Sequence, residues 1–282
     1  MFLGNAVIGL REGLESGIVV MAIVAYLSGR GRPREIRLVW TGVVAAAVAC
    51  LGIGAILAVT AAELSGSAQE AFDAVACTVA IVFITGMILW MRHSSQDERR
   101  ELEGKLSRAL RGGPMAVLVV AFLTVLREGF EASVFVVVLS QHAGSGAATS
   151  ILGLLSGLVL AVGLVWMLHS GLIRMDIARF LNITGVLLVV IGAGILAHLV
   201  TALQALRVLP GASSVAFDVS SVIPVGSWYG DAIAGLSGIS SRPTVFALVA
   251  WTGYVVAVLA VFRFLLRMPA ARQPLQPTSA DR

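Results

Sequence analysis

Apolar residues run along this chain in long stretches, not in the 3.6-residue alternation of a helix with one wet face. The stretches lie at 3–28, 36–62, 70–92, 115–140, 147–168, 179–205 and 243–267. Each reaches the ~20 residues that a helix needs to cross a hydrocarbon core. Arg-rich or Gly-, Ser- and Pro-rich segments separate them. The expected fold class is all-α: a polytopic membrane protein of seven transmembrane helices.

Composition agrees with that pattern. Hydrophobic residues make up 58% of the 282 and charged residues only 13%, where a soluble domain carries about twice that charged share. The basic pI, near 9.7, would suit nucleic acid, but the basic residues are loop-borne and report topology, so no nucleic-acid partner is expected. Cys50 and Cys77 both fall in apolar stretches and read as small buried hydrophobes. The first stretch is long enough to span, so it reads as a helix and not as a cleaved signal peptide.

Charge decides orientation. Arg30, Arg32, Arg34 and Arg37 follow the first stretch, and Arg92, Arg99, Arg100, Lys105, Arg108 and Arg111 follow the third. Arg174, Arg179, Arg263, Arg267, Arg272 and Arg282 complete 16 cations on one side, against Arg207 and Arg242 on the other. This places the N-terminus outside and the C-terminus in the cytoplasm, in a multi-pass protein of the cytoplasmic (inner) membrane.

Two cations escape that count, and they belong to a phrase that occurs twice. Leu10-Arg11-Glu12-Gly13-Leu14-Glu15 returns 116 positions later as Leu126-Arg127-Glu128-Gly129-Phe130-Glu131. Each copy interrupts an apolar stretch, where a charge opposes insertion by roughly 2.5–3.5 kcal/mol. Three spans separate the copies, so the first would run inward and the second outward. Helices 1–3 and 4–6 thus read as an inverted repeat with a seventh helix appended, an architecture that builds ion sites at midplane. The expected segments are a first three-helix repeat over 1–92, a cytoplasmic amphipathic connector over 93–113 and a second repeat over 114–205. An extracytoplasmic loop over 206–242, the seventh helix over 243–267 and a disordered tail over 268–282 follow. In the connector, Ser95 and Glu98 have capping-box spacing, and Leu102, Leu106 and Leu110 form an apolar edge.

On a helix Glu12 and Glu15 share a face, as do Glu128 and Glu131. Gly9, Gly13 and Gly17 give helix 1 a stripe of small residues, with Gly129 and Ser133 a shorter version on helix 4. If the stripes meet, four carboxylates converge, a donor set suited to a hard cation. A purely structural reading stands beside this one. Antiparallel helices would bring Arg11 level with Glu131 and Arg127 level with Glu15, and crossed ion pairs would bolt the halves together. Four Glu against two Arg still leave two net negative charges, which call for a cation or protons. That favours a metal site of Glu12, Glu15, Glu128 and Glu131 with Arg11 and Arg127 as charge balance.

Other polar positions are weaker candidates. Glu63, Glu70 and Asp73 bracket the second outer turn and, with Asp218, could form an acidic outer entrance. Trp228, Tyr229 and Asp231 mark a packed outer cap. His142 and His198 read as hydrogen-bonded packing residues, Met21, Met87 and Met91 as core or lipid-facing, and Asn182 and Thr184 as satisfying one another or backbone groups inside the bundle. The only Lys is Lys105, in a loop, so retinal attachment within a helix is excluded. No Ser/His pair or His-rich motif lies at midplane depth, so no enzyme is expected.

Paired Arg-Glu-Gly-x-Glu phrases in helices 1 and 4 of a seven-helix protein resemble the oxidase-dependent iron transporter family, the fungal high-affinity iron permeases and their bacterial counterparts. The likeness covers essentially the whole chain, including Ala216-Phe217-Asp218-Val219-Ser220 in the outer loop. The resemblance implies an iron permease with the motif glutamates as ligands. It implies iron as substrate and no permanently bound cofactor. It also implies Fe(III) handed over by a separate ferroxidase, haem peroxidase or periplasmic iron-binding protein. A proton-coupled carrier of another divalent or organic cation is the alternative.

Overall fold

The computed structural model describes residues 2–94, 113–141, 147–172, 177–219, 230, 233 and 237–267. Seven helices occupy them: α1 (Phe2–Gly29), α2 (Pro33–Glu63), α3 (Ser67–Ser94), α4 (Pro114–Gln141), α5 (Ala147–His169), α6 (Ile177–Ala205) and α7 (Val245–Arg267). Every expected span has its helix, with ends shifted by a few residues. Among the described residues the only β feature is one isolated bridge, Val215 to Thr244. The connector's Ser95, Glu98 and leucine edge, the Trp228-Tyr229-Asp231 group, His142 and the C-terminal tail lie outside the described residues.

The chain breaks between helices by local chemistry. Pro33 and Pro114 open α2 and α4, where a missing N–H costs nothing. Helix α1 closes on Gly31 at φ 66°, with Arg32 N–H bonded back to Leu27 and Gly31 N–H to Ser28. That pair of bonds is the Schellman arrangement. Helix α5 ends the same way at Gly171. Helix α6 repeats it with Arg207 in the glycine position, at φ 60°.

Four helices qualify as spans by length and composition: Pro33–Glu63, Ser67–Leu89, Ala148–His169 and Asn182–Ala205. The motif helices α1 and α4 are equally long, 28 residues each, but carry three charges apiece. The chain is therefore a multi-pass membrane protein. Val44, Val48, Leu51, Ile56 and Val59 on α2 are exposed, as are Leu152, Leu155, Val159, Val162 and Trp166 on α5. Such apolar outer faces suit lipid.

Helix α1 packs mainly along α5, α2 along α4, α3 along α6, and α6 along α7, while α1 and α4 also touch. Here the structure corrects an expectation. The Gly9-Gly13-Gly17 stripe does not face the Gly129-Ser133 stripe. A Cβ at Gly9 would strike the Leu154 carbonyl of α5, one at Gly13 would reach Ala161, and one at Gly17 Val165. Helix α5 answers with its own small residues, Gly153 against Phe2 and Gly157 against Ala6. Gly129 instead lies against Cys50 of α2, and Ser133 donates to the Cys50 carbonyl at 3.2 Å. Close approach needs small residues on both partners, and each stripe finds them on a different helix.

The main apolar core draws Ile8 from α1, Cys77, Ile84 and Met87 from α3, Phe135 from α4 and Leu188 from α6. A second cluster, with Val20, Ile23 and Leu27 of α1 beside Val39, Val117 and Ala121, closes the opposite half of α1. Between the two clusters, at the middle of α1 and α4, the charged phrases meet.

Candidate metal centre

Helical spacing puts Glu12 and Glu15 about one turn apart on α1, and the α1–α4 contact brings Glu128 to them. One carboxylate oxygen from each of Glu12, Glu15 and Glu128 lies within 4.8 Å of the others. Oxygens at that spacing can surround one ion at metal–oxygen distances of about 2.0–2.6 Å. Glu12 is 2% exposed and its Oε2 has no hydrogen-bond donor; Glu128 Oε2 also lacks one. Buried carboxylate oxygens without donors are costly unless a cation meets them.

The fourth predicted ligand, Glu131, adjoins these three, and its Oε2 too is buried without a donor. Glu131 is buried, and its Oε1 accepts from Arg127 Nε at 3.4 Å. It is not one of the three that converge. Arg11 has no exposed side-chain surface, and its Nη1 donates to Glu12 Oε1 at 2.8 Å while Nη2 donates to Glu15 Oε1 at 3.3 Å. Each arginine grips a carboxylate of its own helix, and Arg11 also lies close enough to Glu131 of α4 for their charges to interact, as antiparallel register predicted. A neighbouring turn brings its carboxylate to the guanidinium without any demand on interhelical distance. The two arginines differ sharply in setting. Arg127 has 51% of its side chain exposed against none for Arg11.

One group at this centre was not legible beforehand. Met87 Sδ, on α3, accepts a second hydrogen bond from Arg11 Nη1 at 2.9 Å. The sequence left Met87 as core or lipid-facing, and it packs in the core, 4% exposed. A single methionine among apolar neighbours carries no periodic or spacing signal that would single it out.

The outer-entrance residues are placed unevenly. Glu63 is exposed at the end of α2, Glu70 is partly buried and Asp73 is buried at the start of α3, with Asp73 Oδ1 lacking a donor. Asp218 pairs with Arg242 at 2.7 Å, and that hydrogen bond raises the Arg242 guanidinium above its ordinary value. Its charge is answered within the loop. Thr184 bonds its own helix at the Phe180 carbonyl, and His198 sits partly buried on α6, both in keeping with packing roles.

Residues 2–273 match the Iron permease FTR1 family. The chain belongs to that family. Among curated relatives it is 32% identical over 256 residues to the ferrous iron permease EfeU of Escherichia coli O6:H1, covering 90% of this chain and 92% of the relative. To the Yersinia pestis protein of the same name it is 32% identical over 257 residues, covering 89% and 90%. No solved structure matches. As a family member the chain is an iron permease of a membrane and not an enzyme. The paired charged phrases and the seven-helix pattern had pointed to the same family.

Proposed function

We propose that this iron permease carries its ion between α1 and α4, with Glu12, Glu15 and Glu128 as direct ligands. Glu131 and Arg127 form the adjoining ion pair, and Arg11 supplies local charge balance. The observation that carries this reading is the convergence of three carboxylates, two with donor-free buried oxygens, from the two copies of one phrase.

The ion we assign is ferrous iron. Four glutamates and two arginines leave two negative charges, which a divalent cation cancels and a trivalent one exceeds. The names of the relatives, ferrous iron permeases, support that choice over the Fe(III) implied by the family resemblance. A separate oxidase, peroxidase or periplasmic iron-binding partner stays within the proposal, its chemistry lying outside this chain.

The route follows from exposure. Arg127 is half exposed at the middle of α4, where contact with lipid would cost several kcal/mol, so water reaches that side of the centre. Glu12 and Glu131, nearer the start of α1 and the end of α4, are closed off. With the N-terminus outside, as the Lys and Arg distribution supports, the ion leaves toward the cytoplasm along Glu15 and Arg127. It enters past Glu63, Glu70 and Asp73, and Asp218 marks the rim. The exchange of partners, α1 with α5 and α4 with α2, supports the inverted repeat of helices 1–3 and 4–6.

Uptake into vesicles containing the purified chain tests this. Ferrous iron kept reduced should enter and saturate, Fe(III) as a citrate complex should not, and excess Mg²⁺ should leave the rate unchanged. Ferrous flux that survives the double variant Glu12→Gln, Glu128→Gln would remove the basis of the assignment.

A further inference from the structure

Arg11 has five N–H donors in a planar fork, and such a fork usually takes both oxygens of one carboxylate. Here it does not. Nη1 gives one bond to Glu12 Oε1 at 2.8 Å and another to Met87 Sδ at 2.9 Å, and Nη2 gives a bond to Glu15 Oε1 at 3.3 Å. Glu12 Oε2 is left buried with no donor. Arg11 thus reaches both carboxylates of its own helix, each through an Oε1. The thioether, from a third helix, takes an Nη1 hydrogen and so helps set the direction in which the fork faces Glu12.

From this geometry we infer that Met87 is a positioning residue of the iron site: its sulfur fixes the Arg11 guanidinium so that Glu12 keeps one oxygen free for the ion. The inference rests on the iron reading above and adds to it a residue that the charged phrases do not contain. Two features of a thioether suit the task. It is a weak acceptor, so it cannot draw Arg11 away from the carboxylates. It is uncharged, so it adds nothing to the negative charge that the ion must balance. A carboxylate in its place would overload the site. An alkyl side chain would leave the fork free to turn about Glu12, toward the oxygen that the ion needs. Nη1 spans from the sulfur to Glu12, so the two groups are separated by no more than the sum of its two bonds. Met87 therefore acts at the centre itself, not through a distant packing effect.

The test is ferrous uptake into vesicles by the full-length chain, with ascorbate present. Met87→Leu keeps the volume and removes the acceptor. Met87→Gln is of similar length and restores an uncharged acceptor. Met87→Ile is a second acceptor-free side chain should the leucine variant not fold, and monodispersity after extraction reports folding for all three. Loss of the positioning bond should raise the iron concentration for half-maximal uptake about tenfold in the leucine variant while the maximal rate changes less than about twofold. The glutamine variant should recover most of that loss, which packing alone would not produce. Wild-type half-saturation in the leucine variant, or equal loss in the leucine and glutamine variants, overturns the inference and leaves the iron reading standing. No ferrous flux by the wild-type chain overturns both.

Discussion

Glu12 and Glu128 hold the same place in two copies of one phrase, 116 residues apart, and their carboxylate oxygens lie within 4.8 Å of each other. Glu12 is buried and Glu128 partly so, and two acids so close repel unless a cation or proton stands between them. We expect Glu12→Gln and Glu128→Gln each to reduce ferrous uptake at least about 100-fold, the consequence of losing roughly 3 kcal/mol of charge pairing with the ion. Membrane insertion, followed by quantitative blotting of membrane fractions, should be unchanged. Near-normal uptake in either variant would contradict the shared site.

Removing the buried cation has the opposite electrostatic sign. Arg11→Gln leaves Glu12 and Glu15 without their guanidinium, and loss of one partner from a buried pair costs roughly 3–5 kcal/mol. The variant should melt well below the wild type in detergent. Mn²⁺, a redox-stable divalent probe, should restore more of the melting temperature in the variant than it adds to the wild type. Equal shifts in both proteins would mean that Arg11 and the ion do not answer the same charge.

Helix α5 offers a matched pair of glycines. A Cβ on Gly157 would strike the Ala6 carbonyl of α1, whereas one on Gly163 meets nothing. Gly157→Ala should destabilise the bundle by about 1–3 kcal/mol through backbone displacement. Gly163→Ala should stabilise it by up to about 1 kcal/mol through helix propensity alone. Thermal unfolding of the two variants checks the contrast, and similar behaviour would refute the close α1–α5 contact.

Arg207 holds φ 60° where α1 and α5 place Gly31 and Gly171. A left-handed conformation costs a residue with a Cβ roughly 1–2 kcal/mol. Arg207→Gly should therefore raise the melting temperature, the relief exceeding the added chain entropy of glycine, with no effect on iron uptake. A lower melting temperature would show that the Arg207 side chain contributes more than its backbone strain removes.

Much of this protein was legible in one dimension because the information is local. Stretch length against bilayer thickness marks α1 to α7, and helical spacing alone brings Glu12 beside Glu15. Counting four Glu against two Arg gives the charge of the centre without any coordinates. The repeated phrase suffices to raise the family.

Partner choice was decided only in three dimensions. On helices apolar around their whole circumference, hydropathy does not say which face meets which neighbour. Steric fit between small residues does, and it sends Gly13 to Ala161 of α5 and Gly129 to Cys50 of α2. The same packing leaves Glu131 with Arg127 and brings Met87 to Arg11 across 76 residues of sequence. A side chain's chemistry is written in the chain, but its distance from a group on another helix exists only once the helices have packed.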